Sequence, residues 1–187
     1  MMNKIIINPF QVRPGDQTIV HVGIGECRAT NIPHIILKTI LGSCVGAVAF
    51  GKTSAGYNAI GLAHIQMDYK NEHSNLDVTN KPAAFADTAI PLLIKNMLYL
   101  NCNKYMLKFA LFGGGNVLHY KNQHIGEKNL IATIAVLKRY YYEPSRVISG
   151  GDTGMIVAID VGKAVATYNF IHTNRPIFLF DSRLDIE

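Results

Sequence analysis

Cys44 and His64 are the residues whose types and surroundings could do covalent chemistry. Cys44 follows two small residues in Leu41-Gly42-Ser43-Cys44-Val45-Gly46 and leads into a β-branched apolar run over 45–50. His64 interrupts a second apolar segment, over 59–65. A thiol has an ordinary pKa of about 8.5 and reacts as its thiolate, so at neutral pH it needs an imidazole or well-aimed backbone N–H groups. A cysteine at a glycine turn beside a histidine on a neighbouring strand supplies a nucleophile and its base. Packing accounts for each residue singly just as well. Cysteine is among the most buried residue types, and a strand histidine can be a hydrogen-bonded core residue.

Thr39 stands five residues before Cys44 on the approaching strand. Its hydroxyl or its carbonyl could orient an imidazole, as the third member of a triad does, while its β-branch also simply suits a strand. Gly42 is expected to allow a sterically difficult turn before the cysteine. The run Phe112-Gly113-Gly114-Gly115-Asn116 looks like a phosphate loop but lacks the Gly-Lys-Ser/Thr ending and the dinucleotide spacing. Its glycines are expected to let backbone pass close to another element or to shape a groove wall. Cys27 and Cys102 read as incidental thiols, and neither they nor the remaining histidines show metal-ligand spacing.

These residues need a sheet to hold them. Strands are expected over 4–8, 18–24, 35–40, 45–50, 59–66, 106–112, 146–149, 155–160, 164–169 and 177–180, several bounded by Gly, Asn or Asp. A helix is expected over 87–100, with Ile90, Leu93, Ile94, Met97 and Leu98 at helical spacing and Asp87 or Thr88 as cap. A second helix is expected over 126–141, with Ile131, Ile134, Ala135 and Leu137 on its apolar side. The turns at 150–154 and 161–163 suggest a late hairpin or meander. The polar stretch after His64 reads as a loop that could lie over the site or simply meet solvent. The class is α+β: strand-rich, a large sheet or pair of sheets with two main helices, one covering each exposed face.

The chain has 187 residues, 49% of them hydrophobic and 17% charged, which suits a single compact domain. No apolar run approaches the roughly 20 residues of a membrane span, and the N-terminus lacks a signal-peptide core. An odd count of three cysteines favours a reducing, cytoplasmic setting. The net charge of +5 is scattered and carries no basic-aromatic tract, so nucleic-acid binding is not expected.

Four segments together resemble the chemoreceptor glutamine deamidase family, CheD, of bacterial chemotaxis. They are Thr39-Ile40-Leu41-Gly42-Ser43-Cys44-Val45, Gly61-Leu62-Ala63-His64, the stretch 86–94, and Phe112-Gly113-Gly114 with Asn116. Their order and separation agree over about 17–170, the expected core of one deamidase domain over 1–187. The resemblance implies a thiol hydrolase acting on glutamine side chains of methyl-accepting chemotaxis receptors. It implies Cys44 as nucleophile, His64 as base and Thr39 as orienting group; acyl-transfer chemistry then calls for oxyanion donors at the Gly42–Ser43–Cys44 turn, and the glycine run is expected to put a groove near Phe112, Gly113 and Gly114. The resemblance implies a layered α-β-β-α sandwich similar to the catalytic domain of deamidating toxins, and no metal or organic cofactor. A second reading is an adaptor that binds receptors or a CheC-type phosphatase with weak or no deamidation. Two departures from the family pattern stand out: Ile65-Gln66-Met67-Asp68 after the histidine, and Met155 where an arginine is usual.

Overall fold

The computed structural model describes residues 16–70, 79–117, 124–171 and 177–181. In chain order these form β1 (Thr18–His21), β2 (Cys27–Thr30), β3 (Ile35–Leu41), β4 (Val45–Lys52), β5 (Asn58–Ile65), α1 (Ala86–Tyr99), β6 (Lys108–Gly113), α2 (Ile125–Arg139), β7 (Pro144–Ser149), β8 (Met155–Asp160), β9 (Val165–Phe170) and β10 (Ile177–Asp181). One 3-10 turn, Lys104–Met106, precedes β6. The strands make two mixed sheets: an outer sheet ordered β1-β3-β8-β9-β10 and a central sheet ordered β2-β5-β4-β6-β7. Pairings are antiparallel except β1 with β3 and β6 with β7.

The hydrophobic pattern decides which sheet is central. Val45–Phe50 in β4 and Ala59–Ile65 in β5 are buried at every position. Strands that are apolar on both faces must be covered on both. One face of the central sheet meets the outer sheet through Leu37, Val48, Leu62, Phe112 and Val157. The other meets the helices through Ala47, Ala63, Leu93, Met97, Leu111 and Val136. In β3 and β8 buried residues alternate with partly exposed ones, so the outer sheet has one face toward solvent.

The α+β class, the strand-rich make-up and the two main helices are as expected. The layers of the described residues run helix, sheet, sheet: instead of covering one exposed face each, α1 and α2 pack on each other and on the same face of the central sheet. The solvent-facing side of the outer sheet carries Lys38, Asp160 and the half-exposed Ile40, a surface that water can face. Three local expectations change. Phe85 takes the N-cap position of α1 without a side-chain cap bond, while Asp87 accepts the Lys70 N–H and Thr88 Oγ1 donates to the Phe85 carbonyl. The buried side of α2 is Gly126, Asn129, Ala132, Thr133, Val136 and Leu137, and Ile131 faces solvent. The turn at 150–154 crosses from the central to the outer sheet, so β7 and β8 are no hairpin, whereas β8 and β9 pair as one. β2 was not anticipated, and the strand expected over 4–8 lies outside the described residues.

Candidate active site

The thiol sits where the chain passes between sheets. β3 ends at Leu41 in the outer sheet, and β4 begins at Val45 in the central one. The intervening turn is fastened from two sides. Gly114 N–H donates to the Cys44 carbonyl and Gly115 N–H to the Gly42 carbonyl, each at 2.9 Å. Asn129, buried on α2, gives its amide to the carbonyls of Ser43 (3.0 Å) and Gln66 (2.9 Å). Among the described residues the Ser43 and Cys44 N–H groups have no acceptor, which leaves two donors beside the sulfur.

The glycines act by close approach. Gly42 has no left-handed backbone angle, contrary to expectation; a Cβ there would lie 2.7 Å from Val117 Cγ2. Gly113 does have one, φ +91°, and a Cβ on it would meet the Cys44 carbonyl oxygen at 2.3 Å. Only a residue without a side chain brings β6 this close to the cysteine. Phe112, the residue before it, is fully buried between the sheets and presents no surface to a groove. A cleft of about 280 Å³ lies beside this anchor, lined by Gly114, Gly115, Asn116, Glu127, Leu130 and Asp152 among others.

His64 enters the same inter-sheet space from β5. Gly46 of β4 is its direct cross-strand partner, so Cys44 is a diagonal neighbour on the same sheet face. Such neighbours sit about 7–8 Å apart, a gap long side chains span. Thr39 Oγ1 lies 2.8 Å from His64 Nδ1 and donates its own proton to the Val22 carbonyl at 2.8 Å. A hydroxyl that donates to a carbonyl has only lone pairs left for the ring, so Nδ1 carries the proton and Nε2 the lone pair. Val22 O also lies 3.4 Å from Nδ1. Nε2 is buried with no hydrogen-bond partner among the described residues.

Burial pushes the Cys44 thiol above its ordinary value. Burial also pushes His64 down, and the Val22 carbonyl and Glu26 carboxylate only partly oppose this. Both shifts favour uncharged forms, so the resting pair is a neutral thiol beside a neutral imidazole. Cys27 is pushed up to about 12, mainly by burial against α1. Cys102 is buried in the helix-side core. No cluster of three His, Cys, Asp or Glu occurs among the described residues.

Three contributors were given no role from the sequence. The Val22 carbonyl acts through backbone, which no side-chain pattern reveals. Asn129 had a signal, an amide on the inward side of an amphipathic helix. Glu26 closes the turn between β1 and β2, where a Gly-x-Gly-Glu run marks only a turn. The loop after His64 is tied at its stems: the Gln66 and Met67 N–H groups both donate to the Ala84 carbonyl, and Ala83 N–H to the Gly25 carbonyl. Its centre lies outside the described residues.

A family model described as CheD chemotactic sensory transduction matches residues 70–168. The chain is 35% identical over 146 residues to a probable chemoreceptor glutamine deamidase CheD from Caldanaerobacter subterraneus, covering 76% of this chain and 86% of that protein. It is 30% identical over 148 residues to a protein of the same name from Clostridium kluyveri, covering 77% and 88%. A chemoreceptor glutamine deamidase CheD from Bacillus velezensis is 28% identical over 149 residues, covering 78% and 87%.

Proposed function

The chain belongs to the CheD family, and from that premise we propose that it is a protein-glutamine deamidase of chemoreceptors, working through Cys44, His64 and Thr39. The family match begins after Cys44 and His64, so their roles rest on geometry. The observation that carries them is a buried imidazole whose Nδ1 is held by Thr39 while its unpaired Nε2 shares a sheet face with the thiol.

The reaction follows from the neutral pair. Sγ of Cys44 attacks the amide carbon of a receptor glutamine as its proton passes to His64 Nε2. The carbonyl oxygen becomes an oxyanion and takes hydrogen bonds from the Ser43 and Cys44 N–H groups. The imidazolium returns the proton to the amide nitrogen, the C–N bond breaks and ammonia leaves a thioester. Water then gives a proton to Nε2 and adds to the thioester carbon. The C–S bond breaks, the sulfur recovers the proton, and the side chain leaves as glutamate. The cleft beside Gly114 and Gly115 is where the receptor chain flanking the glutamine would lie. Binding by a CheC-type phosphatase, if it covers this end of the molecule, would compete with receptor, and the setting is cytoplasmic.

The test is incubation with a receptor cytoplasmic fragment, with peptide mass spectrometry to read glutamine-to-glutamate conversion. Conversion by the native chain and none by Cys44→Ala is expected. Absence of conversion across the receptors of the source organism would overturn the assignment.

A further inference from the structure

The turn between β1 and β2 holds the His64 main chain and the Nδ1 side of its ring. Val22 supplies the carbonyl that receives the Thr39 hydroxyl. Gly25 N–H donates to the His64 carbonyl and His64 N–H to the Glu26 carbonyl, both at 2.9 Å. The turn is closed twice, by Glu26 N–H to the Gly23 carbonyl (3.0 Å) and by Gly23 N–H to Glu26 Oε2 (3.1 Å). The second carboxylate oxygen, Oε1, takes Arg28 Nη2 at 3.2 Å. One carboxylate thus fixes the turn that carries Val22, and puts a negative charge on the residue whose own carbonyl receives the His64 N–H.

We propose that Glu26 is a positioning residue for His64: it locks the Val22–Thr39–His64 chain and electrostatically favours the imidazolium formed when Cys44 loses its proton. The inference rests on the deamidase reading for its catalytic consequence only. The contacts around the ring support it. Thr39 faces His64 from β3 and is uncharged, Cys44 faces it from the start of β4 as a neutral thiol, and Glu26 and Arg28 stand on and beside the turn. Glu26 also acts to raise the His64 pKa against burial. Arg28 partly neutralises Glu26, so the two residues should move the base in opposite directions.

The experiment compares native protein, Glu26→Gln, Glu26→Ala and Arg28→Gln. The His64 ring is titrated by NMR, and the rates of Cys44 alkylation and of receptor deamidation are followed against pH. Glu26→Gln keeps an acceptor for Gly23 N–H and removes the charge. It should shift the His64 titration and the acid limb of the rate profile to lower pH, and lower the plateau rate ~2- to 5-fold. Arg28→Gln should shift both to higher pH. Glu26→Ala should lower the rate further, because the turn is also released. An unmoved His64 titration in Glu26→Gln, with the protein folded, overturns the charge role. Unchanged rates in Glu26→Ala overturn the positioning role. The ring titration and the alkylation need no receptor, so they stand or fall separately from the deamidase assignment.

Discussion

At the residue scale, the site works with an uncharged pair and a fixed tautomer. Thr39 is the residue that fixes it, and Thr39→Val leaves the buried Nδ1–H with only the Val22 carbonyl, 3.4 Å away. We expect kcat to fall about 100-fold or more with KM little changed, while Thr39→Ser keeps most of the rate. Equal losses in both variants would remove Thr39 from the site. Burial of the pair also sets the pH response. Alkylation of Cys44 should climb steadily toward alkaline pH, since its thiol lies above the ordinary value, and outpace that of Cys27, held up to about 12. A plateau reached by neutral pH would instead reveal a preformed thiolate. For His64 the folded pKa is the lower one. The unfolded chain therefore gains its proton first, at about 6.5, as pH drops. Stability present above that value declines as pH falls toward the folded pKa. Thermal melts of native protein and His64→Gln between neutral and acid pH should converge in their pH slopes only if this reading is mistaken.

At the element scale, the Cys44 turn depends on what α2 and β6 bring to it. Asn129→Leu strips donors from the Ser43 and Gln66 carbonyls, each costing about 1–3 kcal/mol when buried without a partner. Reduced melting temperature together with reduced kcat is expected, and full activity in a destabilised protein would separate the turn from catalysis. Gly61→Ala is the contrasting case. Its Cβ would lie 2.5 Å from Leu93 Cδ1, in the contact between β5 and α1. It should cost about 1–3 kcal/mol of stability by overpacking yet leave the rate per folded molecule within about twofold. Both are read by paired melts and assays. These elements also mark the limit of what the sequence discloses. The doubly buried β4 and β5 announce themselves as unbroken apolar runs, and α1 by its spacing. β2 hides because four residues with an arginine among them carry no alternation. The inward side of α2 hides because Asn129 and Thr133 point in while Ile131 points out, which only the tertiary contacts decide.

At the scale of the whole molecule, the described residues form two sheets and one helix layer, and among them nothing covers the outer face of the outer sheet. Ile40 is 55% exposed there, one residue from the buried Thr39. Ile40→Thr should change stability by no more than about 0.5 kcal/mol and spare activity, whereas a large loss in a denaturant titration would mean that this face is covered in solution. Which strands share a sheet was the least legible part of the fold. β7 and β8 follow one another yet lie in different sheets, because pairing of β6 with β7 and of β3 with β8 joins segments far apart in the chain. Cysteine and histidine were legible by type and by their apolar surroundings. Their supports were not, since Val22, Glu26 and Asn129 act through backbone or across layers.

The bond between Thr39 and His64 joins the outer sheet to the central one. Cys44 directly precedes β4 and His64 lies in β5, consecutive strands that pair with each other locally. Thr39 lies in β3, whose antiparallel partner at Val157 emerges from the ribosome more than a hundred residues later. A growing chain thus carries its thiol and imidazole long before the strand that steadies the third member is complete. The Thr39–His64 contact therefore waits on a strand that lies more than a hundred residues downstream in the chain.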